Sequence, residues 1–151
     1  MKPYTIRRLQ PADMDALLGL LEEHALYEGA SFELRDQRHN LQRYIFSEPC
    51  RLYCWVVSDF TGTLVGYCTY MLEFSTWKAE HFIHMDCLYL QSAARQQGIG
   101  TELMRKLIVH SRELGVTEIQ WQTPEDNYGA VEFYRKMGAQ GKKKLRFIFN
   151  G

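Results

Sequence analysis

The segment Arg95-Gln96-Gln97-Gly98-Ile99-Gly100-Thr101 decides how the rest of the chain reads. It follows a β-rich run, Asp86-Cys87-Leu88-Tyr89-Leu90. It opens a helical pattern that puts Leu103, Met104, Leu107 and Ile108 on one face. Two glycines at the junction let a ligand approach the backbone closely. The N–H groups of a first helical turn lack intrahelical partners and carry the positive end of the helix dipole. Strand, glycine turn and helix N-terminus together make an anion site suited to a phosphate or pyrophosphate. On these residues alone, a glycine-rich turn without a ligand stays open. Two other phosphate patterns fail. A dinucleotide fingerprint needs a third glycine where the chain has Leu103, and no Gly-Lys-Ser/Thr tripeptide of a P-loop occurs.

Outward from this loop, the periodicity predicts an alternating order of elements. Residues 4–9 read as a strand. Pro11 opens a helix to about residue 28, striped by Leu17, Leu18, Leu20, Leu21 and Ala25, with Gly29 as its stop. Asp36 can cap a second helix with Leu41, Tyr44 and Ile45 inward, ending before Pro49. Runs at 52–57, 64–74 and 81–90 read as three strands of an antiparallel meander, the first two joined by the turn Asp59-Phe60-Thr61-Gly62. A helix over 98–114, a strand over 116–121 and a helix over 128–137 follow. Leu145, Phe147 and Phe149 alternate with Arg146, Ile148 and Asn150 and predict a final strand. The order describes a mixed α+β fold, with helices covering a largely antiparallel sheet, in a single domain over residues 1–151.

Composition excludes several classes. The chain has 151 residues, 46% hydrophobic and 24% charged, which suits one globular domain with its own core. Lys+Arg and Asp+Glu both number 18, so no global basic field exists to hold nucleic acid or an anionic membrane. The longest uncharged run, Phe60 to Leu72, is too short to span a bilayer. Met1-Lys2-Pro3-Tyr4 leads into alternating residues with no apolar signal core, so a cytoplasmic protein is expected. Cys50, Cys54, Cys68 and Cys87 form no CxxC and read as reduced, packed thiols. The histidines are scattered, and no metal site is expected.

Three motifs in register carry a resemblance. Arg95-x-x-Gly98-x-Gly100 resembles the acyl-CoA pyrophosphate loop of the GNAT N-acetyltransferase superfamily. Asp86 to Leu90 resembles its central strand, and Asn127-Tyr128 through Phe133-Tyr134 to Gly138-Ala139 resembles its later Asn…Phe-Tyr…Gly motif. The resemblance covers residues 4–150 and implies the GNAT fold, a central twisted sheet of about six or seven strands flanked by about four helices. It implies acetyl-CoA as co-substrate and no metal. Ile6-Arg7, Ala12-Asp13, Glu23-x-Ala25-x-Tyr27-Glu28 and Trp77 are similar to the diamine, polyamine and thialysine acetyltransferases. Trp121 to Asn127 and the tail resemble a fungal subfamily that acetylates histones and polyamines. Homodimers are typical of these subfamilies, so a homodimer is expected.

The resemblance also assigns roles. The backbone of Leu88, Tyr89 and Leu90 would pair with pantetheine, the loop from Arg95 through Gln96, Gln97, Gly98, Ile99 and Gly100 to Thr101 would hold the pyrophosphate, and Asn127 would hold pantetheine or nearby backbone. Tyr134 matches the tyrosine acid that protonates the leaving thiolate; packing beside Phe133 is the alternative. Asp86 stands where the subfamily carries a glutamate base, one methylene shorter. An aspartate is a weak base in water, so the role implies a bridging water or surroundings that favour its protonated form. Strand capping or substrate binding without proton transfer is the alternative. Tyr27, Glu28 and Trp77 are the candidates for holding a substrate ammonium. Residues 11–36 carry seven carboxylates against Arg35, mostly a solvated face. Cys87 replaces a second carboxylate usual in polyamine enzymes, which favours shorter amines or an amino acid. Lys142, Lys143, Lys144 and Arg146 read as an edge-strand guard. The expected activity is acetyl transfer to the primary amine of a small molecule. A protein lysine as acceptor and a non-catalytic CoA-binding module are the alternatives.

Overall fold

The computed structural model describes residues 3–151. Two compact units emerge: one ends at Trp121, and the second runs Gln122–Gly151. The first unit holds a five-stranded sheet in sequential order, built from β1 (Tyr4–Arg8), β2 (Tyr53–Asp59), β3 (Leu64–Ser75), β4 (Glu80–Leu90) and β5 (Ile119–Trp121). The first four strands pair antiparallel and β5 joins β4 in parallel. Three helices belong to this unit: α1 (Met14–Tyr27), α2 (Gln37–Ile45) and α3 (Ile99–Glu113). The second unit holds α4 (Tyr128–Lys136).

Strand alternation creates two buried faces. Cys54, Val56, Tyr67 and Tyr89 pack in one cluster with Met14, Leu17 and Leu20 of α1 and Ile45 of α2. On the other face lie Val57, Cys68, Tyr70, Ile83 and Met85, all buried. The buried positions of α3, Ile99, Leu103, Met104, Leu107 and Ser111, recur at helical spacing. A polar string fastens α3 to the sheet. Trp55 Nε1–H donates to Tyr70 Oη at 2.6 Å, and Tyr70 Oη meets His110 Nδ1 at 2.7 Å. Burial and the nearby Arg8 charge lower the His110 pKa. At the other end, Arg7 grips both Asp13 oxygens at 2.7 and 3.0 Å, and Gln10 N–H donates to the same carboxylate at 2.8 Å. The Arg7 hydrogen bonds hold the Asp13 carboxyl below its usual range and tie β1 to the start of α1.

The structure corrects the sequence reading at several points. Pro11–Asp13 form a 3-10 turn, with the α-helix starting at Met14. Asp36 occupies the N-cap of α2 without a side-chain cap bond. The strand expected from Val116 starts at Ile119, because the Val116 N–H still bonds back to the Ser111 carbonyl at the end of α3, at 2.8 Å. The final strand over 145–150 is absent. Leu145, Phe147, Ile148 and Phe149 are 84%, 88%, 71% and 94% exposed in a segment without regular structure. The sheet therefore has five strands where six or seven were expected, and the basic tail guards no edge strand. Lys143 instead pairs with Glu125 inside the second unit. All four cysteines are free, with Cys54 and Cys68 buried. Burial pushes the Cys54 thiol up to about 12 and raises that of Cys68.

One glycine fixes how β3 meets β4. Gly66 pairs with Leu90, and a Cβ there would lie 2.4 Å from Leu90 Cδ2 and 2.7 Å from the Tyr89 carbonyl oxygen. The second contact is with backbone, so rotamer changes cannot relieve it. Gly66→Ala should destabilise the protein by about 1–3 kcal/mol, the usual cost of overpacking. Denaturant unfolding measures this, and an unchanged midpoint would show that β3 and β4 can part at no cost.

Candidate active site

A break in register on β4 organises the site. Thr69 pairs with Cys87 and Tyr70 with Met85, which leaves Asp86 as an extra residue without a partner on β3. Such a bulge resets the side-chain alternation. Met85 points to the α3 face, yet Cys87 and Tyr89 join the α1 face beside Thr69 and Tyr67. On the opposite edge, the β5 ladder runs Ile83↔Ile119, His84↔Gln120 and Met85↔Trp121, and ends there. From Asp86 to Leu90, β4 is thus laddered to β3 alone. Apart from the Leu90 carbonyl, which accepts from Arg95 Nε, its other edge offers backbone groups of Cys87–Leu90 to an extended ligand carrying amides. Tyr89 is buried, whereas Leu88 and Leu90 are half-buried.

The loop beyond β4 has the geometry of an anion cradle. Gln96 has φ +60° and Gly98 φ +78°, and Gly98 is the N-cap of α3. Alternating left-handed residues turn successive N–H groups toward one side. The first intrahelical bond of α3 is Glu102 N–H to the Gly98 carbonyl at 3.1 Å. The N–H groups of Ile99, Gly100 and Thr101 precede it and have no acceptor within the helix. No atom lies within 4 Å of a Cβ built on Gly98, so the space above the cradle is open. Gln97 Nε2 donates to the Ala93 carbonyl at 2.7 Å and closes the loop on itself. Arg95 fastens the cradle to the strand. Its Nε donates to the Leu90 carbonyl at 2.8 Å, and its guanidinium lies 4.4 Å from the Tyr27 ring and 5.7 Å from that of Tyr89. Tyr27, a candidate for holding a substrate ammonium, has the Arg95 guanidinium over its ring.

Around Asp86, the α1 face presents a set of polar groups. The Asp86 side chain is exposed. One oxygen lies 3.9 Å from His84 Nε2, and the other accepts from Cys87 Sγ at 3.6 Å. Burial, then the Asp86 charge, pushes the Cys87 thiol up to about 11, so it stays protonated. Burial also raises the Tyr67 phenol. Beyond them on α1, His24 Nδ1 meets Tyr67 Oη at 2.6 Å and His24 Nε2 meets Glu28 Oε1 at 3.2 Å. Gln91 Nε2 donates to both Glu23 oxygens, at 3.1 and 3.0 Å. Tyr67, His24 and Glu28 thus form one connected string, and Cys87 is joined to Asp86.

Trp77 does not join them. It is fully exposed in the turn between β3 and β4, and the stretch from Glu80 to Asp86 spans roughly 20 Å at about 3.3 Å per strand residue. In the second unit, Asn127 is the N-cap of α4, its Oδ1 accepting from Ala130 N–H at 3.3 Å. Tyr134 is half-buried on α4, its ring 5.2 Å from that of Phe133. Among the described residues, no group of three or more His, Cys, Asp or Glu side chains can hold a metal ion.

Sequence reasoning missed Gly66, His24, Tyr67 and His84. An isolated glycine inside the β-rich run 64–74 was the signal for close backbone approach at Gly66. The other three needed the register of β3 and β4, because the bulge decides which face each strand residue joins.

Comparison with known proteins agrees with this geometry. Residues 16–139 match the Acetyltransferase (GNAT) family. The chain belongs to that family and is an N-acetyltransferase, of a class that uses acetyl-CoA. It is 27% identical to a thialysine N-epsilon-acetyltransferase of Bos taurus, over 89% of this chain and 83% of that protein. It is 24% identical to a D-amino-acid N-acetyltransferase of Saccharomyces cerevisiae, over 93% of this chain and 87% of the relative. Among solved structures, an aminoglycoside acetyltransferase from a soil metagenomic sample superposes with a TM-score of 0.79 at 21% identity, covering 99% of this chain and 96% of that one.

Proposed function

We propose that this protein acetylates the primary amine of a small molecule, a diamine, polyamine or amino-acid-like amine, by direct attack in a ternary complex with acetyl-CoA. The observation that carries the proposal is the bulge, which places the Asp86 carboxylate where β4 leaves β5 and the free strand edge begins. The relatives named for thialysine and D-amino-acid acetylation support a small acceptor.

The residues present fit acetyl-CoA. The edge of Leu88, Tyr89 and Leu90 suits the pantetheine amides. The N–H groups from Gly98 to Thr101, beside Arg95, Gln96 and Gln97, suit the pyrophosphate. Asn127, already the cap of α4, is assigned to pantetheine or nearby backbone by the family resemblance. Acetyl-CoA supplies the thioester carbonyl that the amine attacks. A Lys-like amine, with a pKa of about 10.4, is neutral in only about 1 in 2,500 molecules at pH 7, a cost of about 4.6 kcal/mol. Asp86 takes the ammonium proton, directly or through water, while Glu28 holds a second cationic group on the acceptor. Tyr134 donates its phenolic proton to the departing thiolate, whose reference pKa of about 8.5 lies below the phenol's of about 10. Homodimers are typical of the resembling subfamilies, and the same assembly is proposed here. In such a dimer Trp77, remote from Asp86 along its own chain, would serve a substrate site only across the interface.

The Asp86 role is tested by kcat/KM against pH for Asp86→Asn beside the wild type. The deficit should be largest near pH 7 and shrink as the pH approaches the amine pKa of about 10.4, because solution then supplies neutral amine. A constant offset at every pH would contradict a proton-accepting role. For Tyr134→Phe, which keeps the ring, kcat should fall by roughly 10²–10⁴ with little change in acetyl-CoA affinity. Wild-type turnover would reduce Tyr134 to packing.

A further inference from the structure

His24 is the polar side chain of α1 that reaches both the sheet and the rim of the site. Its ring stacks on Tyr89, centroids 4.9 Å apart and planes at 21°, and meets Tyr67 edge-on at 5.7 Å. Both ring nitrogens are engaged, Nδ1 by Tyr67 Oη at 2.6 Å and Nε2 by Glu28 Oε1 at 3.2 Å. A carboxylate only accepts, so Nε2 carries a proton; in neutral imidazole Nδ1 is then the acceptor, and the Tyr67 O–H donates to it. Burial favours the protonated phenol, which keeps Tyr67 in the donor role. Glu28 sits at the C-cap of α1 with its side chain 43% exposed, where a carboxylate would otherwise sample several rotamers. The imidazole holds one oxygen and leaves Oε2 to a ligand.

We propose that His24 is a positioning residue that, locked by Tyr67, fixes the Glu28 carboxylate to receive the distal ammonium of a dicationic acceptor whose other amine lies at Asp86. The inference rests on the proposed substrate side of the site and adds a residue to it. It makes the chain selective for acceptors with two cationic groups over monoamines, because a pre-oriented carboxylate spends less ordering entropy on capture.

Two measurements test it. In the ¹⁵N spectrum of the imidazoles, His24 should show the Nε2–H tautomer at pH 8 in the wild type, and the Nδ1–H tautomer would overturn the proposal outright. Initial-rate kinetics then compare putrescine with butylamine. His24→Leu should raise KM for putrescine roughly three- to tenfold, the usual worth of one lost hydrogen bond, with kcat changed less than about twofold. The butylamine KM should move less. His24→Gln, whose amide can still reach Glu28, should recover part of the loss, and His24→Leu should add nothing in a Glu28→Gln background. If His24→Leu does not fold, Tyr67→Phe keeps the ring, frees Nδ1 and should raise the putrescine KM in the same direction. If Glu28→Gln raises the putrescine KM while His24→Leu or Tyr67→Phe leaves it at the wild-type value, the His24 role is refuted and the substrate reading stands. If Glu28→Gln itself changes nothing, the substrate reading fails and takes this role with it. Equal KM increases for both amines also overturn the proposal.

Discussion

Everything distinctive about the site depends on one extra residue in β4. Without the bulge at Asp86, strand alternation would send Cys87 and Tyr89 to the α3 face and bring Leu88 and Leu90 under α1. The Asp86 carboxylate would then be an ordinary side chain in a regular ladder. With the bulge, β4 changes faces at the level where β5 stops pairing. A carboxylate and a free backbone edge therefore occur side by side. A parallel strand that paired as far as Leu90 would have consumed the hydrogen-bonding groups that a pantetheine-like ligand needs.

The remaining features hold that edge in place. Gly66 lets β3 approach Tyr89 and Leu90 more closely than any side chain would allow. Arg95 binds the Leu90 carbonyl and lies over the Tyr27 ring, so the strand end and the anion cradle share one guanidinium. Beneath the rim, burial keeps the Cys87 thiol and the Tyr67 phenol protonated. Neutral donors thus support the charged groups above them: Cys87 donates to Asp86, and Tyr67 supports the imidazole that holds Glu28. A second carboxylate in place of Cys87 would sit half-buried beside Asp86 and repel it, so the thiol spares Asp86 a like charge against it.

Much of this was legible in the sequence, for identifiable reasons. The strand, loop and helix from Asp86 to Glu113 were readable because a glycine-rich turn between a β-rich run and a 3.6-residue stripe has few other readings. The placement of Asp86 beside the free edge came through resemblance, since a bulge leaves no local mark in Met85-Asp86-Cys87. The contact of Tyr27 with Arg95 was not legible, because an exposed aromatic beside a carboxylate suits a cation in general and sequence cannot say that Arg95 lies over it. The tail shows the opposite failure. Leu145, Phe147 and Phe149 carry a clean two-residue period, but a strand exists only through its neighbour, and the described chain pairs nothing with residues 145–150.

Acetylation of a small primary amine is the proposed activity. Its most direct test follows free thiol released from acetyl-CoA by the purified protein. Acceptors offered at equal concentration are thialysine, putrescine, spermidine, D-amino acids and a lysine-bearing histone-tail peptide. For at least one small amine, kcat/KM should exceed the peptide's by tenfold or more, roughly 1.4 kcal/mol of discrimination. Preference for the peptide would contradict it, and so would tight acetyl-CoA binding with no transfer to any amine.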